Sequence, residues 1–438
     1  MGREIIHKES PDHPGKRSRI WQCEDAWNVL SKQMGTEVVE GLSVDVRASE
    51  NKLLSTGSFT KMRFLKLLQI NGVHLSGPFK LLSEELIWIC WLECPLKSFP
   101  SDLMLDNLVV LEMQYSNIKE LWKEKKILNK LKILNLSYSK NLVKTPNLHS
   151  SSLEKLLLEG CLRLVEVHKS VGHLKSLIFL NLKGCRRLKT LPQSICDAKS
   201  LEILNISECS QLEKLPKHMG GMESFTELLA DGINNEQFLA SIEHLKYLRK
   251  LSMCGYNFNV DAPSSTSWPH QFHHGFQQEL NLSGNNFFSL PSSISVLPKL
   301  QLLRVSHCRN LVSISELPSN LKFLDAIGCK SMERYPNGSD TVQKDVHYHF
   351  IYLQYSKATQ VVGVYCPLSW TRYVSLSEMA MEEYCGHEEL ELVSSTNPTE
   401  SQLNTLSRNR FRSPLRHHSL NSITTKLYAS GSNLSFLD

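Results

Sequence analysis

The stretch LNLKGCRRLKTLP, Leu180 to Pro192, returns 24 residues later as LNISECSQLEKLP, Leu204 to Pro216. Leucine or isoleucine, cysteine and proline recur while the polar residues between them change. A fixed apolar skeleton at a period in the twenties is the mark of a stacked repeat, because a single unit has nothing of its own to bury its leucines against. Aligning the chain on L-x-x-L-x-L-x-x-C/N places repeat starts at Met62, Leu86, Leu108, Leu131, Leu153, Leu177, Leu201, Phe225, Leu248, Gln277, Leu300 and Leu321. The spacings are mostly 21 to 24 residues, and the one of 29, from Leu248 to Gln277, contains DAPSSTSWPHQFHHG, a loop insertion. The expected fold is therefore α/β: a leucine-rich repeat solenoid of about twelve repeats over residues 61–333, a curved parallel sheet with loops and short helices on its convex side.

Within each unit x-L-x-L-x is a short strand whose alternate side chains face opposite ways. In FLNLK, Leu180 and Leu182 are expected to point inward and Phe179, Asn181 and Lys183 outward. The same count over the central repeats assigns Lys155, Glu159, Ile203, Asn205, Glu227, Asp231, Lys250 and Arg304 to the outward face. Extended concave faces of this kind bind proteins, and mixed charge with exposed Phe179 and Ile203 suits a protein partner; an ordinary solvated sheet is the competing reading. Position nine holds Cys94, Cys161, Cys185, Cys209, Cys308 and Cys329, with Asn285 in one repeat. A small residue suits the turn where the chain leaves the strand, so these six of the twelve cysteines read as structural and reduced; metal or redox chemistry is the alternative, without a C-x-x-C pair to support it. Proline follows the turn at Pro146, Pro192 and Pro216, and one residue earlier at Pro100 and Pro291, which favours irregular outer connections over long helices.

Composition excludes several classes. With 41% hydrophobic and 21% charged residues in 438, the chain reads as folded and soluble. The densest apolar run, LIWICWL from Leu86 to Leu92, is far short of the roughly 18 residues of a membrane span, so no membrane is expected as a partner. A net charge of +5 spread along the chain does not mark a nucleic-acid face; RNRFRSPLRHH, Arg408 to His418, is locally basic and reads as a solvated tail or an anion-binding arm. Neither a G-x-S-x-G elbow nor an H-E-x-x-H helix occurs, and no enzyme activity is expected. His270, His273 and His274 lack a companion ligand at metal spacing, and His347 and His349 share one face of a strand with Phe350 and Tyr352 nearby. Asn135, Asn205, Asn281, Asn337 and Asn433 head N-x-S triplets that matter only in a secreted protein.

The flanks carry a resemblance. MGREI, ESP, PGKRSRIW, then GTEVVEGLSVDV and FTKMRFLKLLQI resemble the junction between nucleotide-binding module and repeats in plant intracellular immune receptors. The class is the one with a Toll/interleukin-1-receptor domain, a nucleotide-binding domain and leucine-rich repeats, and the likeness covers residues 1–333. It implies that residues 1–60 are the end of a winged helix plus a linker, and that Met1 is an internal methionine of a longer receptor. It further implies a sensor that binds a pathogen effector or a guarded host protein, contacts the nucleotide-binding domain of full-length relatives, and works in the cytoplasm, with a nuclear location also open. Alone, such a piece would act as a decoy or regulator. The phosphate loop and Met-His-Asp signature of that class lie upstream of MGREI, and GKRS at Gly15 to Ser18 is no substitute, since Arg17 and Ser10 replace required residues; no nucleotide or other cofactor is expected. A generic repeat scaffold or substrate adaptor is the other functional class. Beyond Met332, YHFIYLQY and QVVGVY suggest a partial β-rich segment over 334–393, and the Ser/Thr/Asn-rich residues 394–438 are expected to be disordered.

Overall fold

The computed structural model describes residues 2–46, 52–122, 126–149, 152–242, 244–255, 278–290, 294–295, 297–314, 317–333, 350–352 and 362–364. The insertion with His270, His273, His274 and Gln277, the pair His347 and His349, and the segment 394–438 lie outside them. The chain divides into two units, Arg3–Cys366 and Pro367–Asp438, and the sheet belongs to the first.

That sheet has sixteen strands. Its repeat strands run Leu67–Asn71, Trp88–Cys90, Val110–Glu112, Ile133–Asn135, Lys155–Leu157, Phe179–Asn181, Ile203–Asn205, Glu227–Leu229, Lys250–Ser252, Glu279–Asn281, Leu302–Arg304 and Phe323–Asp325. All pair in parallel with their sequence neighbours, and the register is the one the repeat demands: Leu156, Leu180, Leu204 and Leu228 stand opposite one another. From Leu68 to Leu324 this row is buried, as are Leu158, Leu182, Ile206 and Ala230 two residues further on. Each leucine taken out of water stabilises the stack by roughly 1.5–3 kcal/mol, and only the neighbouring repeat supplies the wall. The fold is a leucine-rich repeat solenoid.

Two boundaries differ from the sequence reading. The first repeat is set by Leu65 rather than Met62, since its strand begins at Leu67 with Leu68 and Ile70 buried. The parallel sheet also starts upstream of residue 61: Arg19–Ile20 pairs with Gly41–Asp45, which pairs with Leu67–Asn71. Val39, Leu42 and Val44 are fully buried there, so Val39-x-x-Leu42-x-Val44 is a repeat core in which valine replaces leucine. Helices α1 (Gly2–Glu9) and α2 (Cys23–Ser31) flank this end. Ala26, Val29 and Leu30 of α2 are buried, and the buried Arg17 ties the flank together by donating to Asp25 at 2.7 Å and to the Ser10 carbonyl at 2.8 Å. At the far end Phe350–Tyr352 pairs antiparallel with Phe323–Asp325 and with Val362–Val364.

The outer connections are short 3₁₀ turns, Lys169–His173, Gln193–Asp197 and Lys217–Gly221, the last two entered directly from Pro192 and Pro216. Proline fixes φ and lacks a donor, which suits the first position of a turn. Elsewhere two short parallel pairs lie outside the main sheet, Lys52–Ser55 with Val73–Ser76 and Lys126–Ile127 with Leu148–His149, and one connection is helical, α3 (Glu236–Ile242), where no proline intervenes and Asn235 Oδ1 accepts from the backbone N–H of Gln237 at 2.9 Å. Position-nine side chains reach back one repeat: Cys161 Sγ donates to the Leu136 carbonyl, Cys185 to Leu158 and Cys209 to Leu182, at 3.3, 3.3 and 3.1 Å, whereas no such link is seen at Cys94 among the described residues. Asn285 makes the same link to Met253 at 3.0 Å. A thiol is small enough for the site and supplies a second donor to a carbonyl that already accepts a backbone N–H three residues on, as Leu158 does from Cys161 and Leu182 from Cys185.

Candidate recognition face

The sheet presents one face away from the leucine core, in two outward columns. The first reads Leu67, Trp88, Val110, Ile133, Lys155, Phe179, Ile203, Glu227, Lys250, Glu279, Leu302 and Phe323. The second, two residues on, includes Glu112, Asn135, Asn181, Asn205, Asn281 and Arg304. All eleven residues singled out from the sequence fall on these columns or on the next outward position, where Glu159, Lys183 and Asp231 stand.

Position does not make them all accessible. Phe179 is 7% exposed, so it is not the open apolar anchor the alternation suggested; its strand neighbours in register are Lys155 and Ile203, and a large ring between two long side chains is covered by them. Asn181 and Asn205 are buried as well, and their Oδ1 atoms accept from the backbone N–H of Lys183 and Ser207, both at 3.0 Å. These amides hold the turn and do not project to a partner. Asp231 is likewise engaged, accepting from Ser252 Oγ at 2.6 Å and the Cys254 N–H at 2.7 Å. The remaining charges pair along the sheet: Lys183 with Glu159 at 3.4 Å, Lys250 with Glu227 at 3.1 Å. Exposed pairs contribute little to stability, but they leave the middle of the face electrically balanced. Lys155, Ile203 and Arg304 remain as partly exposed members of the set.

Sequence counting passed over the earlier repeats, which carry the apolar end of the same column. Leu67, Trp88, Val110 and Ile133 are four half-exposed apolar residues in consecutive register. Beside them lies an aromatic step. Each repeat leaves its strand through a residue in the left-handed region, usually glycine, as at Gly160, Gly184 and Gly232. At Tyr115 and Tyr138 the φ values are 60° and 61° although both are tyrosines, a conformation that is uncommon outside glycine, Asn and Asp. Their rings stack with centroids 4.9 Å apart and planes 8° from parallel. Tyr138 Oη donates to Glu159 at 2.9 Å; burial first, then that carboxylate, pushes its phenol up to about 12. A Cβ on Gly160 would strike the Tyr138 ring, so the glycine seats the tyrosine. The legible signal was two tyrosines in successive repeats in a column held mostly by glycine, with Glu93, Glu208 and His307 its other side-chain members.

Among the described residues no group of three or more His, Cys, Asp or Glu is arranged to hold a metal ion, and no helix is long and apolar enough to cross a membrane.

A family profile described as Leucine Rich Repeat matches residues 107–126. Among curated proteins the chain is 39% identical to disease resistance protein RPP2A of Arabidopsis thaliana over 189 residues, 40% of this chain and 14% of that protein. It is 32% identical to disease resistance protein RPV1 of Vitis rotundifolia over 205 residues, 40% of this chain and 15% of that one. To the disease resistance-like protein DSC1 of Arabidopsis thaliana it is 30% identical over 446 aligned positions, covering 78% of this chain and 36% of DSC1. The chain is a leucine-rich-repeat relative of plant disease resistance proteins. It spans a minor part of the length of each of these relatives. A leucine-rich-repeat protein of Leptospira interrogans is 21% identical, with a TM-score of 0.45 over 73% of this chain and 88% of that one.

Proposed function

We propose that this leucine-rich-repeat chain is the recognition part of a plant disease resistance protein, binding a pathogen effector or a guarded host protein through its strand face and taking part in defence signalling. The single observation that carries this reading is the in-register row Leu67, Trp88, Val110 and Ile133 beside the Tyr115–Tyr138 step, on a sheet whose central charges Lys183 and Glu159, Lys250 and Glu227 pair with each other. Half-exposed aliphatic and aromatic side chains with a polar surround are what a protein interface uses as its centre. The similarity to disease resistance proteins supports the biological setting. The chain acts by binding rather than by catalysis, needs no cofactor, and works in the cytoplasm, with the nucleotide-binding domain of full-length relatives as a further contact.

The test is a proximity-labelling fusion expressed in leaf tissue, as the parent and as Ile133→Asp. Ile133 is outward and half-exposed, so the fold should tolerate the change. Specific labelled proteins should appear with the parent and vanish with the variant at equal abundance. Identical labelling by both, with the variant folded, removes the face from the account.

A further inference from the structure

Two carboxylates on the strand face have a cation from the next repeat: Glu159 has Lys183 and Glu227 has Lys250. Glu112 differs. Its strand neighbours place Trp88 and Cys90 on one side and Ile133 and Asn135 on the other, with no basic residue among them. The Trp88 indole N–H donates to the carboxylate and the Cys90 thiol lies within hydrogen-bonding reach, yet burial outweighs both and pushes the Glu112 carboxyl above the usual range. Two residues on, Gln114 stands on the same face, and its Oε1 is buried without a hydrogen-bond partner among the described residues. Gln114 stands just past the end of the strand Val110–Glu112, in the turn that follows it. A buried acceptor left unmade costs free energy, so this strand and its turn carry one unanswered acceptor and one desolvated anion, walled by Trp88 and Ile133.

We propose that Glu112 and Gln114 form a subsite for the guanidinium of an arginine on a protein partner, with the flanking apolar row receiving the aliphatic or aromatic residues beside that arginine. The guanidinium matches what is missing: a charge for Glu112 and, as the partly exposed Gln114 side chain turns outward to meet it, a donor for Gln114 Oε1. Its planar fork of five N–H groups spans two acceptors at once, which the point charge of a lysine does not. Its weak hydration lowers the penalty of entering a half-buried strip, and the neighbouring Trp88 ring adds attraction for a cation. The subsite rests on the recognition reading above and names the chemistry of its partner.

A random-peptide phage library panned against the full chain tests it. The expected enrichment is for peptides with an arginine flanked by apolar or aromatic residues. The best of these, synthesised, should lose about tenfold or more in affinity against Glu112→Gln and against Gln114→Leu, and also when its arginine is changed to lysine. Both protein variants should melt at or above the parent temperature, since each removes an unfavourable buried group; that separates a lost contact from a damaged fold. Enrichment of acidic peptides, or undiminished binding by both variants, overturns the subsite. If capture is instead lost in Lys183→Glu while Glu112→Gln binds normally, recognition lives on the face but not here. Failure to enrich any peptide counts against the subsite and the recognition reading together.

Discussion

Phe179 occupies an outward strand position and is nonetheless 7% exposed, so truncating it removes packing. Phe179→Ala should lower unfolding free energy by about 3 kcal/mol in denaturant titrations, whereas Lys183→Gln, which breaks two partly exposed pairs, to Glu159 and Glu208, should change it by less than about 1 kcal/mol. Equal effects would contradict the burial seen at Phe179. Glu112 behaves in the opposite sense. Its carboxyl is raised in the folded chain above its unfolded value, so folding favours the protonated form: the ionised form is a liability at neutral pH that fades as pH falls through the raised value and is gone below the ordinary carboxylate range. Glu112→Gln should therefore raise the melting temperature at pH 7, and the gain should shrink towards pH 4. A gain independent of pH would show that charge is not its cause.

The elements depend on links between repeats more than on local propensity. The thiols of Cys94, Cys161 and Cys209 are raised by burial to about 12, and that of Cys185 is raised well above the usual thiol range for the same reason. A raised thiol supports folding at neutral pH and withdraws that support once the unfolded chain ionises, from about pH 8.5 upward. Native protein at pH 8 should react with a disulfide reagent at these cysteines far more slowly than denatured protein, as followed by mass spectrometry of each cysteine peptide. Prompt reaction at Cys185 would mean that the inter-repeat link to the Leu158 carbonyl is not formed. The turn after each strand makes a similar point: Gly160 sits at φ +67° under the Tyr138 ring, so Gly160→Ala combines backbone strain with a clash and should cost on the order of 1–3 kcal/mol.

Over the whole molecule each repeat touches only its neighbours, and stability passes along the stack one interface at a time. Leu182 is fully buried, and Leu182→Asp would bury a charge with no cation beside it. Hydrogen exchange should then show protection lost first in Phe179–Asn181 and the adjoining strands Lys155–Leu157 and Ile203–Asn205, while Val110–Glu112 keeps most of its own. Uniform loss across all strands would indicate a single cooperative unit. Calorimetric titration with ADP or ATP should show no saturable binding, because GKRS at Gly15 to Ser18 lacks the glycine and hydroxyl positions that cradle phosphates.

The repeat period and the inward leucines were readable from the sequence because they follow from burial alone: a residue that must leave water at a fixed interval has to recur at that interval. The parallel sheet, the turn-rich outer side and the structural place of the cysteines came with it. Tertiary structure decided the rest. Period-two alternation says which side a residue points to, not how deeply its neighbours cover it, so Phe179, Asn181 and Asn205 turned out buried and the open apolar strip lay at Trp88, Val110 and Ile133. The valine-based strand Gly41–Asp45 escaped a leucine pattern because valine satisfies the same burial with a different letter. The lack of a cation beside Glu112 was invisible along the chain, since it depends on side chains about 20 residues away in sequence and one strand away in space, and only stacking shows which carboxylates those neighbours neutralise and which they do not.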